Sequence, residues 1–293
     1  IYLYAEMDVQ YFNQTSSRRE LCAGIGQLSL DTNSQFTQPE RGREPCVIYE
    51  EDNNDDSSEL EIELPTDNDD LDARPNGGIT IVDAENALVE LRTDFIDWEP
   101  EYGYSLVESE GGLFTAVADG ELFLATNDES VAYMVPYSSG AMLANGSWRV
   151  SFSAMGMGDS GFDTLFFMNA GVLSISGGVP TLQGIVTIAN RDNERAPADI
   201  ENMALSLTGT MSTGELGEVI IEFPDEFITL TGFVTTSGEL AVGKVMRYED
   251  GVDELALGLW NAIRPNTDSE AVAADEPPSI DVELLVGGVT QTP

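Results

Sequence analysis

The chain has 293 residues, with 53 Asp and Glu against 12 Lys and Arg and no His, for a formal net charge of -41. That balance excludes a basic stripe able to neutralise phosphates, and with it direct nucleic-acid binding. Anionic membrane surfaces would repel the chain, and no apolar run approaches the roughly 18 residues a membrane helix needs.

Lys244 is the one lysine; every other basic residue is arginine. Like charges at this density oppose compaction, and molar salt removes most of that penalty by shortening the Debye length to about 3 Å. Hydrated carboxylates then keep the surface soluble, while long lysine stems are avoided. The expectation is an extracellular protein built for very salty water. Hydrophobic residues make up 42% of the chain, enough for a packed core. This length fits one large β domain or two smaller ones. A start at Ile1 without Met is what a cleaved leader or a trimmed start would leave.

In chain order, Ile1 to Phe12 and Cys46 to Tyr49 read as strands, and Leu21 to Leu30 is ambiguous. Residues 50–72 hold twelve carboxylates and no base. Leu60, Ile62 and Leu64 alternate with Glu inside that run, so a one-sided strand crosses it; Glu51 to Ser58 and Thr66 to Gly78 read as solvated loops. Asp83 to Asp97 reads as the one short helix, capped by Asp83, with Leu88, Leu91 and Phe95 at helical spacing and Pro100 beyond its end. That places a boundary between an N-terminal region, 1–99, and a β domain, 100–293. From Tyr102 onward strand follows strand. Trp148, Val150, Phe152 and Ala154 alternate with Arg149, Ser151 and Ser153; Met203, Leu205 and Leu207 alternate with Ala204 and Ser206; Leu255, Leu257 and Leu259 alternate with Ala256 and Gly258. Period two marks sheets with one buried face. Short strands between Gly-rich turns predict an all-β sandwich or jelly roll. Gly-Glu-Leu recurs at 120–122, 214–216 and 238–240, each opening an apolar strand. Pro265 to Ser279 reads as an extended connection to a last strand, Ile280 to Val286.

Little in this chain can carry catalysis. Without histidine there is no His triad or His general base, and two cysteines cannot build a Cys/His zinc site. Neither thiol has a basic neighbour to activate it. A pair of carboxyls at glycosidase spacing is chemically open, but no pair stands out among so many acids. Asp67, Asp69, Asp70 and Asp72 put several oxygen donors within one turn, which makes Ca2+ or another hard cation the candidate ligand. The calcium-loop pattern is incomplete, lacking its sixth-place glycine and twelfth-place glutamate, and a solvated acidic loop is the plain alternative. Cys22 and Cys46 can close a disulfide worth about 3 kcal/mol in the chain-entropy picture; two buried thiols are the alternative. Asn13-Gln14-Thr15 and Asn145-Gly146-Ser147 are sequons for N-glycosylation at Asn13 and Asn145.

Three stretches carry a resemblance. Gly146-Ser147-Trp148-Arg149-Val150-Ser151-Phe152-Ser153, Thr164-Leu165-Phe166-Phe167-Met168-Asn169-Ala170-Gly171, and Leu205-Ser206-Leu207-Thr208-Gly209 with Leu216-Gly217-Glu218-Val219-Ile220-Ile221 follow one another through 130–248. Together they resemble the jelly-roll heads of the complement-globular-head and tumour-necrosis-factor-like class, which recur in phage fibres and virion spikes. Glu218 stands where that class usually has Asp, and Asn190 to Glu201 is an insertion. The resemblance implies a homo-oligomeric exterior component that meets a host receptor or glycan.

The functional expectation is therefore a non-enzymatic structural protein at the virion surface of a halophilic virus (capsid, decoration, turret or fibre). Its partners would be copies of itself and other virion proteins, with no nucleic acid and no membrane insertion. A cell-surface or filament subunit of a halophilic archaeon or bacterium is the second reading, and a secreted carbohydrate-binding or hydrolytic sandwich the third.

Overall fold

The computed structural model describes residues 2–12, 16–30, 36–41, 46–52, 57–63, 76–83, 88–99, 103–119, 122–126, 130–136, 141–158, 161–190, 199–214, 217–248 and 255–265. The all-β expectation holds. Strands make up nearly all of what is described, with one 3-10 turn at Pro224–Glu226.

Strands β1 (Tyr2–Phe12), β2 (Ser16–Leu30), β3 (Phe36–Arg41), β4 (Cys46–Asp52) and β5 (Ser57–Glu63) open the first sheet. It continues with β6 (Asn76–Asp83), β7 (Leu88–Glu99), β8 (Gly103–Asp119), β9 (Leu122–Thr126) and β10 (Ser130–Pro136). Its order is β5-β4-β2-β1-β10-β9-β8-β7-β6, with β3 also paired to β2. The sheet curls until β6 comes alongside β3.

The second sheet comprises β11 (Gly146–Gly158), β12 (Gly161–Ser176), β13 (Val179–Asn190), β14 (Asp199–Thr208) and β15 (Thr210–Thr213). After these come β16 (Val219–Phe223), β17 (Ile228–Val234), β18 (Leu240–Tyr248) and β19 (Leu255–Ile263). Its order is β14-β13-β12-β11-β19-β18-β17-β16-β15. The two ends of that order are one chain segment, broken only at Gly209, whose amide donates to the Pro180 carbonyl of β13 (2.9 Å). The segment bonds β13 along its first part and β16 along its last. With β14 and β15 counted as one, the nine strands therefore close into an eight-stranded barrel.

Both sheets follow one plan, an antiparallel meander whose first and last strands pair: β1 with β10, and β11 with β19. Hairpins between consecutive strands build the second sheet and most of the first, in which β3 and β4 both pair with β2. The tightest hairpin joins β12 to β13 through Gly177 (φ 59°) and Gly178 (φ 82°), where both central residues need positive φ.

Several local expectations change. Asp83 to Asp97 is not a helix: Leu88 onward is β7, flanked by β6 and β8. Register places Ile79 opposite Leu91 and Ile81 opposite Val89, so apolar cross-strand pairs outweigh a helical spacing that three residues also satisfy. The ambiguous Leu21 to Leu30 lies within β2, the loop at Glu51 to Ser58 loses both ends to β4 and β5, and Asn76 to Gly78 open β6. The division at 99/100 falls between paired residues of one hairpin, Glu99 and Gly103. The change of sheet comes between Pro136 and Gly146. Asn169-Ala170-Gly171 sits at an irregularity inside β12 rather than in a turn. Residues 266–293, with the expected strand at Ile280 to Val286, lie outside the described residues.

The outer side of β18 and β19 faces β1, β2 and β10. Leu255, Leu257 and Leu259, which point out of the barrel, are buried there, as is Ala23 of β2.

Candidate functional site

An eight-stranded barrel is just wide enough either to be filled by its own side chains or to hold one small ligand. This one is filled. Alternate residues of every strand turn inward into one apolar cluster, and Trp148, Met168, Leu173, Leu182, Phe223 and Leu230 are fully buried in it. Register aligns Phe152, Trp260, Gly243, Gly232 and Val219 across five neighbouring strands. Trp260 lies against Gly232, and its Nε1 donates to the Thr231 carbonyl (3.1 Å). A Cβ on Gly232 would sit 2.7 Å from the Trp260 Cζ2. The Trp148 Nε1 donates to the Ala144 carbonyl (3.0 Å), so both indoles are satisfied by backbone. Towards the other end Phe152 stacks on Phe166 at 5.3 Å, and the Arg247 guanidinium lies 5.9 Å from the Phe166 ring centre. Thr235 is buried but not idle, lying 3.0 Å from the Ser237 hydroxyl and accepting from the Leu240 amide at 3.3 Å, which pins the β17–β18 turn.

The residues singled out by sequence scatter. Asp67, Asp69, Asp70 and Asp72 lie outside the described residues, as does Asn13. Among the described residues no group of three or more acids or cysteines is placed to hold a metal ion. Cys22 and Cys46, by contrast, are brought together: register sets them directly opposite on β2 and β4. Opposed residues of an antiparallel pair have Cα atoms about 4.5–5.5 Å apart, within the reach of a disulfide. Asn145 is exposed just before β11, and its Oδ1 accepts the Gly177 amide (3.1 Å), fixing the sequon beside the β12–β13 turn.

Charge is distributed unevenly between the sheets. In the first, carboxylates sit within the strands themselves: Glu50, Glu51 and Asp52 on β4, and Glu59, Glu61 and Glu63 on β5. Register even sets Glu50 opposite Glu59. In the second sheet the strands contain only Asp163, Asp199, Glu201 and Glu222. The first three fall at one end of the barrel, where β11, β12, β13 and β14 meet near Met157, Phe162 and Asn190. Along β11–β14 the outer side carries Ser, Thr, Ala, Gln and Asn around exposed Val172 (43%), Val179 (48%), Ile185 (60%) and Ile200 (65%). Ile263 (52%) of β19 continues the patch through Arg149, which register sets beside both Ile263 and Val172. Sequence reading singled out none of these apolar residues. It did not show that separate strands gather them on one face.

No family model and no curated protein matches the chain. Among solved structures, kievitone hydratase from Nectria haematococca aligns over 90% of this chain and 89% of its own, at 8% identity and a TM-score of 0.27. A protein of unknown function from the DUF3598 family of Nostoc punctiforme aligns over 89% of this chain and 93% of its own, at 9% identity and a TM-score of 0.23. Likenesses this slight carry no argument about fold or activity, so the reading of function rests on the chain's own chemistry.

Proposed function

We propose that this chain is a non-catalytic structural subunit of an extracellular assembly in concentrated salt, the assembly being the surface of a virus particle. One observation carries the reading: the barrel of the second sheet is packed with its own side chains, so what it offers a partner is its outside. The absence of histidine and the 53 carboxylates support the same view, since they suit a hydrated exterior in brine better than an active site. Ca2+ at Asp67, Asp69, Asp70 and Asp72, and N-glycans at Asn13 and Asn145, belong to this proposal as exterior features.

Particles purified from the producing culture in molar salt provide the test. Mass spectrometry and imaging should find the chain in stoichiometric, symmetric copies. Recovery in filaments or a cell-surface layer would move it to the second reading, and recovery as a free protein that hydrolyses a glycan would end the structural one.

A further inference from the structure

We propose that the outer face of β11–β14 binds the same face of a second copy of this chain. The inference deepens the structural-subunit reading and rests on it for its biological setting, while its physical argument stands on the face alone. Val172, Val179, Ile185, Ile200 and Ile263 are five of the eight exposed large hydrophobic residues among those whose exposure is described, nearly all in the second sheet, and they lie on β12, β13, β14 and, beyond β11, β19. A patch gathered in this way marks an interaction surface, whereas scattered apolar residues do not.

Charge selects the partner. Two molecules of net charge -41 repel wherever their carboxylates meet. On these four strands the acids are confined to the end where Ile200 stands between Asp199 and Glu201, so two copies can bring the rest of this wall, with Val172, Val179 and Ile185, together without stripping water from carboxylates. The polar groups of the wall are also partly satisfied within it. The Thr187 hydroxyl donates to Asn202 Oδ1 (2.7 Å) and the Ser151 hydroxyl to Asn261 Oδ1 (3.0 Å), which lowers the cost of burying them. Four strands about 4.8 Å apart, used over nine residues rising about 3.3 Å each, give a face of roughly 600 Å². That approaches the roughly 800 Å² that each partner contributes to a stable interface. Pairing one patch with itself makes a closed two-fold dimer, which cannot run on into fibres.

Sedimentation equilibrium of the purified chain across a potassium chloride series tests this. A dimer should form in molar salt and weaken as salt is diluted, because screening of the two like-charged bodies is lost. Val172→Asp with Ile185→Asp should raise the dimer Kd by about tenfold or more, whereas Thr229→Asp, on β17 across the barrel, should leave it unchanged. If the double variant fails to fold by circular dichroism, Ser206→Cys supplies the second test. A bismaleimide should join two copies through that position and not through Thr229→Cys. A monomer at every salt concentration, or a dimer that cross-links through another face or through the first sheet, overturns the proposal. A monomer that is nonetheless abundant in purified particles would sink the interface alone. A dimer of this kind missing from every particle and surface layer would sink the subunit reading alone.

Discussion

Trp260 shows how single residues set the shape of the barrel. Its indole spans β19 to β17, where Gly232 offers no side chain against the ring, and its N–H reaches the Thr231 carbonyl at the far side. Gly232→Ala places a methyl group against the Val242 carbonyl as well as the ring, and overpacking of this kind costs about 1–3 kcal/mol. Denaturant unfolding followed by tryptophan fluorescence should show that loss; an unchanged midpoint would mean that the ring is not confined there. Only half of this could be read beforehand. Alternation along β19 turned Trp260 away from its leucine neighbours, but Gly232, which receives it, is remote in sequence and meets it only through register.

At the scale of elements, pattern set the strands and pairing set everything else. Period two identified β11, β14 and β19 because each is polar on one side only, or carries leucines on alternate positions. It failed at β7, where Leu88, Leu91 and Phe95 satisfy helical spacing while Val89, Leu91 and Phe95 satisfy the strand; partners on both edges decide between them. The Gly-Glu-Leu recurrence gains meaning from topology, since Leu122 and Leu240 open the penultimate strands of the two meanders. Cys22 and Cys46 were visible as a pair, but their direct opposition across β2 and β4 came from register. Non-reducing mass spectrometry should find them as a disulfide whose reduction costs about 3 kcal/mol; two alkylatable thiols in the folded, untreated protein would contradict this. Glu50 and Glu59 oppose each other one ladder along. Like charges directly opposite are unfavourable by roughly 0.2–1 kcal/mol. Glu59→Gln should therefore stabilise the protein in dilute buffer and lose that advantage in molar salt, as thermal scans at both concentrations would reveal.

For the whole molecule, the sequence announced the size of the charge but not its arrangement. Acids populate the strands of the first sheet and largely spare those of the second, which relies on apolar packing instead. Dilution should therefore loosen the two parts unequally. Hydrogen exchange at falling salt should expose the amides of β4 and β5 before those of β17 to β19, which carry runs of consecutive buried residues; simultaneous exposure would argue against a charge-driven first step. The central claim is that dissolved ions make the fold tolerable to its own charge. Thermal unfolding by circular dichroism across a potassium chloride series tests it most directly. The midpoint should climb by about 10 °C or more between dilute buffer and molar salt, equivalent to a few kcal/mol at this size. A midpoint that stays level across the series would contradict the account.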